Sequence, residues 1–197
     1  IEVREDGGTP AFLQTIKTSL CIKLKEQMGV DNIIKREHEI QKIIYNRFLN
    51  MQNVNLLAES STERLGVYSF YIDDAHYNLI VQLLNDRYGI QVRGGCSCAG
   101  TYGHILLNVN QQTSNQITNA INKGDLSEKP GWVRLSIHPI MTDQEINFIM
   151  NAIEEVSRNH EVWSQDYKYN QETNSFIFNN SDYQENKIRV NKWFKSN

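Results

Sequence analysis

Two thiols sit two residues apart in the run Gly94-Gly95-Cys96-Ser97-Cys98-Ala99-Gly100-Thr101-Tyr102-Gly103. So much glycine suits neither helix nor strand, and the run is predicted to be a shaped, accessible loop of the kind that carries function. An accessible thiol with a lowered pKa is a nucleophile, whereas most cysteines are small buried hydrophobes. Cys96 and Cys98 together could relay sulfur, chelate a soft metal or merely supply small side chains. Further along, Trp132-Val133-Arg134-Leu135-Ser136-Ile137-His138 alternates as a strand, with Val133, Leu135 and Ile137 on one face and Trp132, Arg134 and Ser136 on the other. An arginine opposite an apolar stripe serves either a surface ion pair or a bidentate grip on a carboxylate. Near the start, Gly8-Thr9-Pro10 precedes an apolar-periodic run, with Thr9 the expected N-cap and Pro10 the first helical residue. A capping hydroxyl beside free helix N–H groups is also an anion site. Arg93 is expected to support the loop, with a contact to substrate as the second reading. His76, His104 and His138 share no metal-ligand spacing, so no metal is expected.

Several elements must position these groups. Phe12, Leu13, Ile16, Leu20 and Leu24 predict a helix that ends at Gly29, with Cys21 in the core. A second helix is expected from Asp31, burying Ile33, Ile40, Ile44 and Phe48. Strands are expected at 54–58, 65–72, 90–93 and 132–138, and helices at 76–88 and 112–123. Thr142-Asp143-Gln144-Glu145 is a capping box that opens a helix through Val156. Segments 166–169 and 175–178 flank a Gln-Glu-Thr-Asn turn as a hairpin packed by Trp163 and Trp193, with Ile188 to Phe194 a closing strand. This order gives an α+β fold, a two-layer domain whose helices cover one face of a mostly antiparallel sheet.

Composition narrows the function classes. The 197 residues carry 20 Lys and Arg against 23 Asp and Glu, a formal charge of -3, which excludes a general electrostatic grip on nucleic acid. No apolar run approaches the roughly 18 residues of a membrane span. Three cysteines, two of them in a Cys-Ser-Cys triplet, make a poor disulfide framework and suit a reducing, cytoplasmic setting. The first residue is Ile1, and no signal peptide follows, so a piece of a longer protein is expected.

Three stretches, in order and spacing, resemble the class V aminotransferases, the fold-type I pyridoxal-phosphate (PLP) family that includes cysteine desulfurases and selenocysteine lyases. Residues 4–10 resemble the family's Gly-Thr-Pro segment, implying that Gly8 and Thr9 reach the cofactor phosphate of a partner subunit. Residues 90–99 resemble the strand and loop in which desulfurases carry their nucleophile, implying that role for Cys98. Residues 132–139 resemble the Arg-x-Ser strand, implying that Arg134 clamps the substrate carboxylate. The resemblance further implies a homodimeric enzyme that acts on an amino acid, with a sulfur-acceptor protein as partner. By the same resemblance, residues 1–30 end the large-domain segment, 31–159 form the C-terminal small domain, and 160–197 are an extension. The lysine that holds PLP follows a histidine in this family, and no lysine here does, so the chain alone is expected to be inactive and to bind no PLP. Other readings are a transaminase, epimerase or lyase of the same family without cysteine chemistry, or a non-enzymatic thiol, metal-binding or protein-interaction module.

Overall fold

Apolar residues at every second position divide the central strands into two faces, and the helices gather on one of them. The computed structural model describes residues 5, 7–96, 100–180, 188 and 190–193. Helices α1 (Phe12–Met28) and α2 (Val30–Leu49) lead into strands β1 (Val54–Leu56) and β2 (Val67–Ile72), then helix α3 (Tyr77–Tyr88) and strand β3 (Arg93–Gly95). Helices α4 (Gly100–Leu106) and α5 (Gln111–Asn122) precede strand β4 (Trp132–Ser136) and helix α6 (Asp143–Ser164), and β5 (Tyr167–Asn170) and β6 (Ser175–Phe178) form a separate hairpin. The main sheet runs β1-β2-β4-β3, each neighbouring pair antiparallel.

Tyr68, Phe70 and Ile72 of β2 and Val133 and Leu135 of β4 are buried on the helix-covered face. They join one core with Ile40, Ile44 and Phe48 of α2, Ile80, Leu83 and Leu84 of α3, and Ile146, Met150, Ile153 and Val156 of α6. The spacing of these helical residues keeps each set on one stripe, as ordinary helix periodicity requires. Polar contacts tie neighbouring helices together. Arg47 of α2 donates to Glu154 at 2.9 Å and to Asn151 at 2.8 Å on α6. The Thr142–Glu145 capping box closes the start of α6 in both directions. The α+β class, the antiparallel sheet with its main helical layer on one face and the C-terminal hairpin are as the sequence implied, while the short α4 packs on Trp132 of the other face.

Other expectations are corrected. Helix α1 begins at Phe12 with Ala11 at the N-cap and no side-chain cap, so Thr9 does not cap it. The Phe12 N–H instead donates to the Pro10 carbonyl in a tight turn, which moves the helix start on. Helix α1 buries none of its residues, and Cys21 is exposed rather than in the core. Periodicity identifies an apolar face but not what covers it. The strand expected from Ile90 begins at Arg93, because the Ile90 N–H still bonds the Leu84 carbonyl and closes α3. Part of the expected glycine loop is regular: Gly94 and Gly95 pair in β3, and α4 starts at Gly100. Ile188 and residues 190–193 are helical rather than a third strand, and Trp193 is exposed rather than packed on the hairpin.

Phe70→Ala should cost about 3–5 kcal/mol in urea denaturation, the usual range for emptying a packed aromatic site. Leu13→Ala, on the open stripe of α1, should change stability by no more than about 0.5 kcal/mol. Equal costs would contradict this division into core and open face.

Candidate functional site

Strand alternation sends Arg134 to the sheet face away from the main helical layer. There it lies in register between Ser69 of β2 and Arg93 of β3. Arg134 is half-buried, and its Nε is buried with no hydrogen-bond partner. Among the described residues neither arginine has an ion-pair partner. Like charges directly opposite each other across a strand pair are destabilising. An anion between these guanidiniums would relieve that repulsion and satisfy the orphaned donor, and a carboxylate suits the planar fork.

Strand β3 runs from Arg93 straight to Cys96, a half-buried free thiol. Cys98, the sequence candidate for the nucleophile, lies outside the described residues, as do Ser97 and Ala99. Helix α4 lies against the arginine-bearing face at Trp132, where a Cβ on Gly103 would stand 3.1 Å from the indole. Behind the thiol segment, the Tyr77 ring fills the space between two chain segments. A Cβ would meet that ring at 3.0 Å from Gly94 and 2.6 Å from Gly131, so both positions depend on glycine. The Tyr77 hydroxyl accepts a 2.7 Å hydrogen bond from the Asn174 amide of the hairpin. Burial raises the Tyr77 pKa; Asn174 opposes that shift and the nearby Cys96 adds to it.

The structure thus brings Arg134 and Arg93 onto one strand pair, with Cys96 directly after its β3 strand. It does not join Gly8 and Thr9 to them: both are exposed, and no described hydrogen bond links either to that group. His104 meets Ser114 at 3.0 Å and His138 accepts from the Ile140 N–H at 3.2 Å, each a local contact. Sequence reasoning missed Tyr77 and Asn174 altogether, and for Arg93 it ranked a supporting role above a substrate contact. A turn asparagine at a left-handed φ of 51° is a familiar signal, but the partner its side chain finds is not local.

Fold and site together define an α+β domain with two arginines side by side on its sheet, neither ion-paired among the described residues. The class-V aminotransferase family model matches residues 2–149, and the chain belongs to that family. A relative described as a probable cysteine desulfurase in Halalkalibacterium halodurans is 32% identical over 94 residues, which is 48% of this chain and 22% of the relative. One of the same description in Streptomyces coelicolor is 30% identical over 95 residues, with the same shares. The aligned part of this chain therefore spans about a fifth of these relatives' length. The fold is similar to an apo cysteine desulfurase from Thermococcus onnurineus, with TM-score 0.57, 22% identity, and 79% of this chain and 34% of that one covered. It is similar also to a cysteine desulfurase of Escherichia coli in an S-sulfonic acid form, with TM-score 0.52, 16% identity, and 78% and 32% covered.

His76 gives this region a pH dependence. Its ring stacks on Tyr77 and tilts against Tyr169 and Phe176, its Nδ1 accepts the Asn78 N–H at 3.1 Å, and its Nε2 is buried without a bonded partner. Burial pushes its pKa down, a shift that the neighbouring Asn174 partly opposes. A proton on Nδ1 would also remove the acceptor that caps α3. The unfolded chain therefore takes up a proton that the folded chain resists. The contribution to stability is present above the unfolded value of about 6.5 and is lost as pH falls through it toward the lower folded value. The urea midpoint should drop between about pH 8 and about pH 5.5, and less so in His76→Asn, which keeps a capping oxygen without titrating. Equal drops in the two proteins would remove His76 as the cause.

Proposed function

We propose that the protein to which this chain belongs is a PLP-dependent enzyme of the cysteine desulfurase kind, and that Arg134 receives the amino-acid carboxylate. The observation that carries this reading is the half-buried Arg134, with a buried, unpartnered Nε, beside Arg93 and on the strand paired with the one leading to the thiols. The uncapped start of α1, behind exposed Gly8 and Thr9, suits a phosphate through its free N–H groups. When bound, PLP supplies an electron sink for bond changes at the substrate's α- and β-carbons. Arg134 fixes the carboxylate and so orients the substrate's side chain toward the loop. The Cys98 thiolate attacks the substrate sulfur, the carbon–sulfur bond breaks, and a persulfide forms on Cys98 while the β-carbon takes a proton to give alanine. Cys96 sits upstream of that step as a second thiol.

The lysine that holds PLP is assigned to a region outside this sequence, since no lysine here follows a histidine, and the 197 residues alone are expected to be inactive. We place the parent in the cytoplasm as a homodimer, with Gly8 and Thr9 serving the neighbouring subunit and a sulfur-acceptor protein receiving the persulfide. Free Cys21 and Cys96 suit such a reducing setting, and the exposed apolar stripe of α1 suits burial against the rest of the parent.

In the full-length enzyme Arg134→Ala should weaken substrate binding at least about tenfold while PLP binding holds, because a charge-assisted pair is lost. Arg134→Lys should recover little, since a point charge does not reproduce the fork. Binding measured by titration and unchanged in Arg134→Ala would assign the residue to structure. Cys98→Ser should abolish sulfide release from cysteine with PLP retained, and Cys96→Ser should be milder. Full turnover in both variants would replace the sulfur mechanism with transamination.

A further inference from the structure

We infer that the C-terminal hairpin is a strap whose Asn174 acts through Tyr77 to position the strand that carries the thiols. The family match ends at residue 149, so the hairpin at 167–178 lies beyond it. Its turn nevertheless reaches the back of the site. The Asn174 carbonyl accepts from Asn78 Nδ2 at 2.5 Å, its amide donates to Tyr77 Oη at 2.7 Å, and its Oδ1 accepts from Tyr169 at 3.0 Å. All three contacts are part-buried or come from part-buried side chains, where a lost partner costs more than at the surface.

The two residues so held are those that bear on β3. Asn78 Oδ1 would stand 2.6 Å from a Cβ on Gly94, and the Tyr77 ring 3.0 Å from it. Gly94 pairs with Val133 and is followed two residues later by Cys96, which lies close enough to Tyr77 to act on it electrostatically. The same ring abuts Gly131, next to the Trp132 that supports Gly103 of α4. One asparagine at a hairpin turn thus fixes a ring wedged against both β3 and the approach to β4. Asn174 and Tyr77 act through β3 rather than on the substrate, which makes them positioning residues. Only the kinetic consequence rests on the desulfurase reading; the strap rests on geometry.

The test is a double-mutant cycle in the full-length protein. Asn174→Gly keeps the left-handed backbone and the carbonyl that Asn78 uses but deletes the side chain that bonds Tyr77 and Tyr169, and Tyr77→Phe deletes the hydroxyl from the other side. Alkylation of Cys96 by iodoacetamide, assigned by fragment-ion mass spectrometry because Cys98 lies two residues on, should speed up by about two- to tenfold in each single variant, as expected for loss of the Asn174–Tyr77 hydrogen bond. The double variant should be no faster than the faster single. Sulfide release from cysteine should lose kcat by a similar factor with KM moving less, because Arg134 is carried by β4 and only its neighbour Arg93 by β3. Unchanged alkylation in both single variants, or effects that multiply in the double, would overturn the strap. So would a raised KM at constant kcat. A wild-type protein that releases no sulfide from cysteine would sink the desulfurase reading alone, and the alkylation cycle would still decide the strap.

Discussion

Strand β4 cannot present Val133, Arg134 and Leu135 to the same side, and the rest of the site follows from that constraint. Burial of Val133 and Leu135 against the helices turns Arg134 to the opposite face. Antiparallel pairing on both flanks then fixes its neighbours as Ser69 and Arg93. A one-residue slip of β4 would bury the guanidinium in the core and expose two apolar side chains, so the core itself enforces the register. The position of the arginine is thus a consequence of hydrophobic burial. Its chemistry comes from the missing counter-charge, since no described carboxylate pairs with it or with Arg93.

What was legible in the sequence was local. The alternation in β4, the stripe of α2 and the capping box at Thr142 each involve residues a few positions apart, and each is found in the structure. What was not legible depends on distant partners. Strand register is what sets Arg93 directly beside Arg134. Cys21 lies on an apolar run, yet nothing described covers that run. Glycine was the subtler case. Gly94 and Gly103 suggested loop freedom, but their role, like that of Gly131, is close approach, to Tyr77 or to Trp132, within or beside regular elements. A glycine needed for contact and one needed for a turn look the same in sequence. The candidate nucleophile Cys98 was named from a family resemblance, and it stays a proposal.

Two parts of the chain stand in contrast. Helix α1, inside the family match, exposes Phe12, Leu13, Ile16 and Leu20 to solvent. The hairpin, outside that match, is tied inward through Asn174, and Arg87 beside it both pairs with Asp166 at 3.2 Å and lies 4.0 Å over the Trp163 ring. The proposed function accounts for the first by burial within a larger protein. The strap accounts for the second by giving the extension a task at the site.

The most direct measurement is the absorbance spectrum of the full-length protein titrated with PLP and then with amino acids, cysteine and alanine included. A PLP enzyme with an amino-acid carboxylate site should take up the cofactor to saturation, survive dialysis with its absorbance band intact, and change that band in a saturable way when an amino acid is added. A full-length protein that retains no PLP, or whose bound PLP responds to no amino acid, would contradict the proposed function.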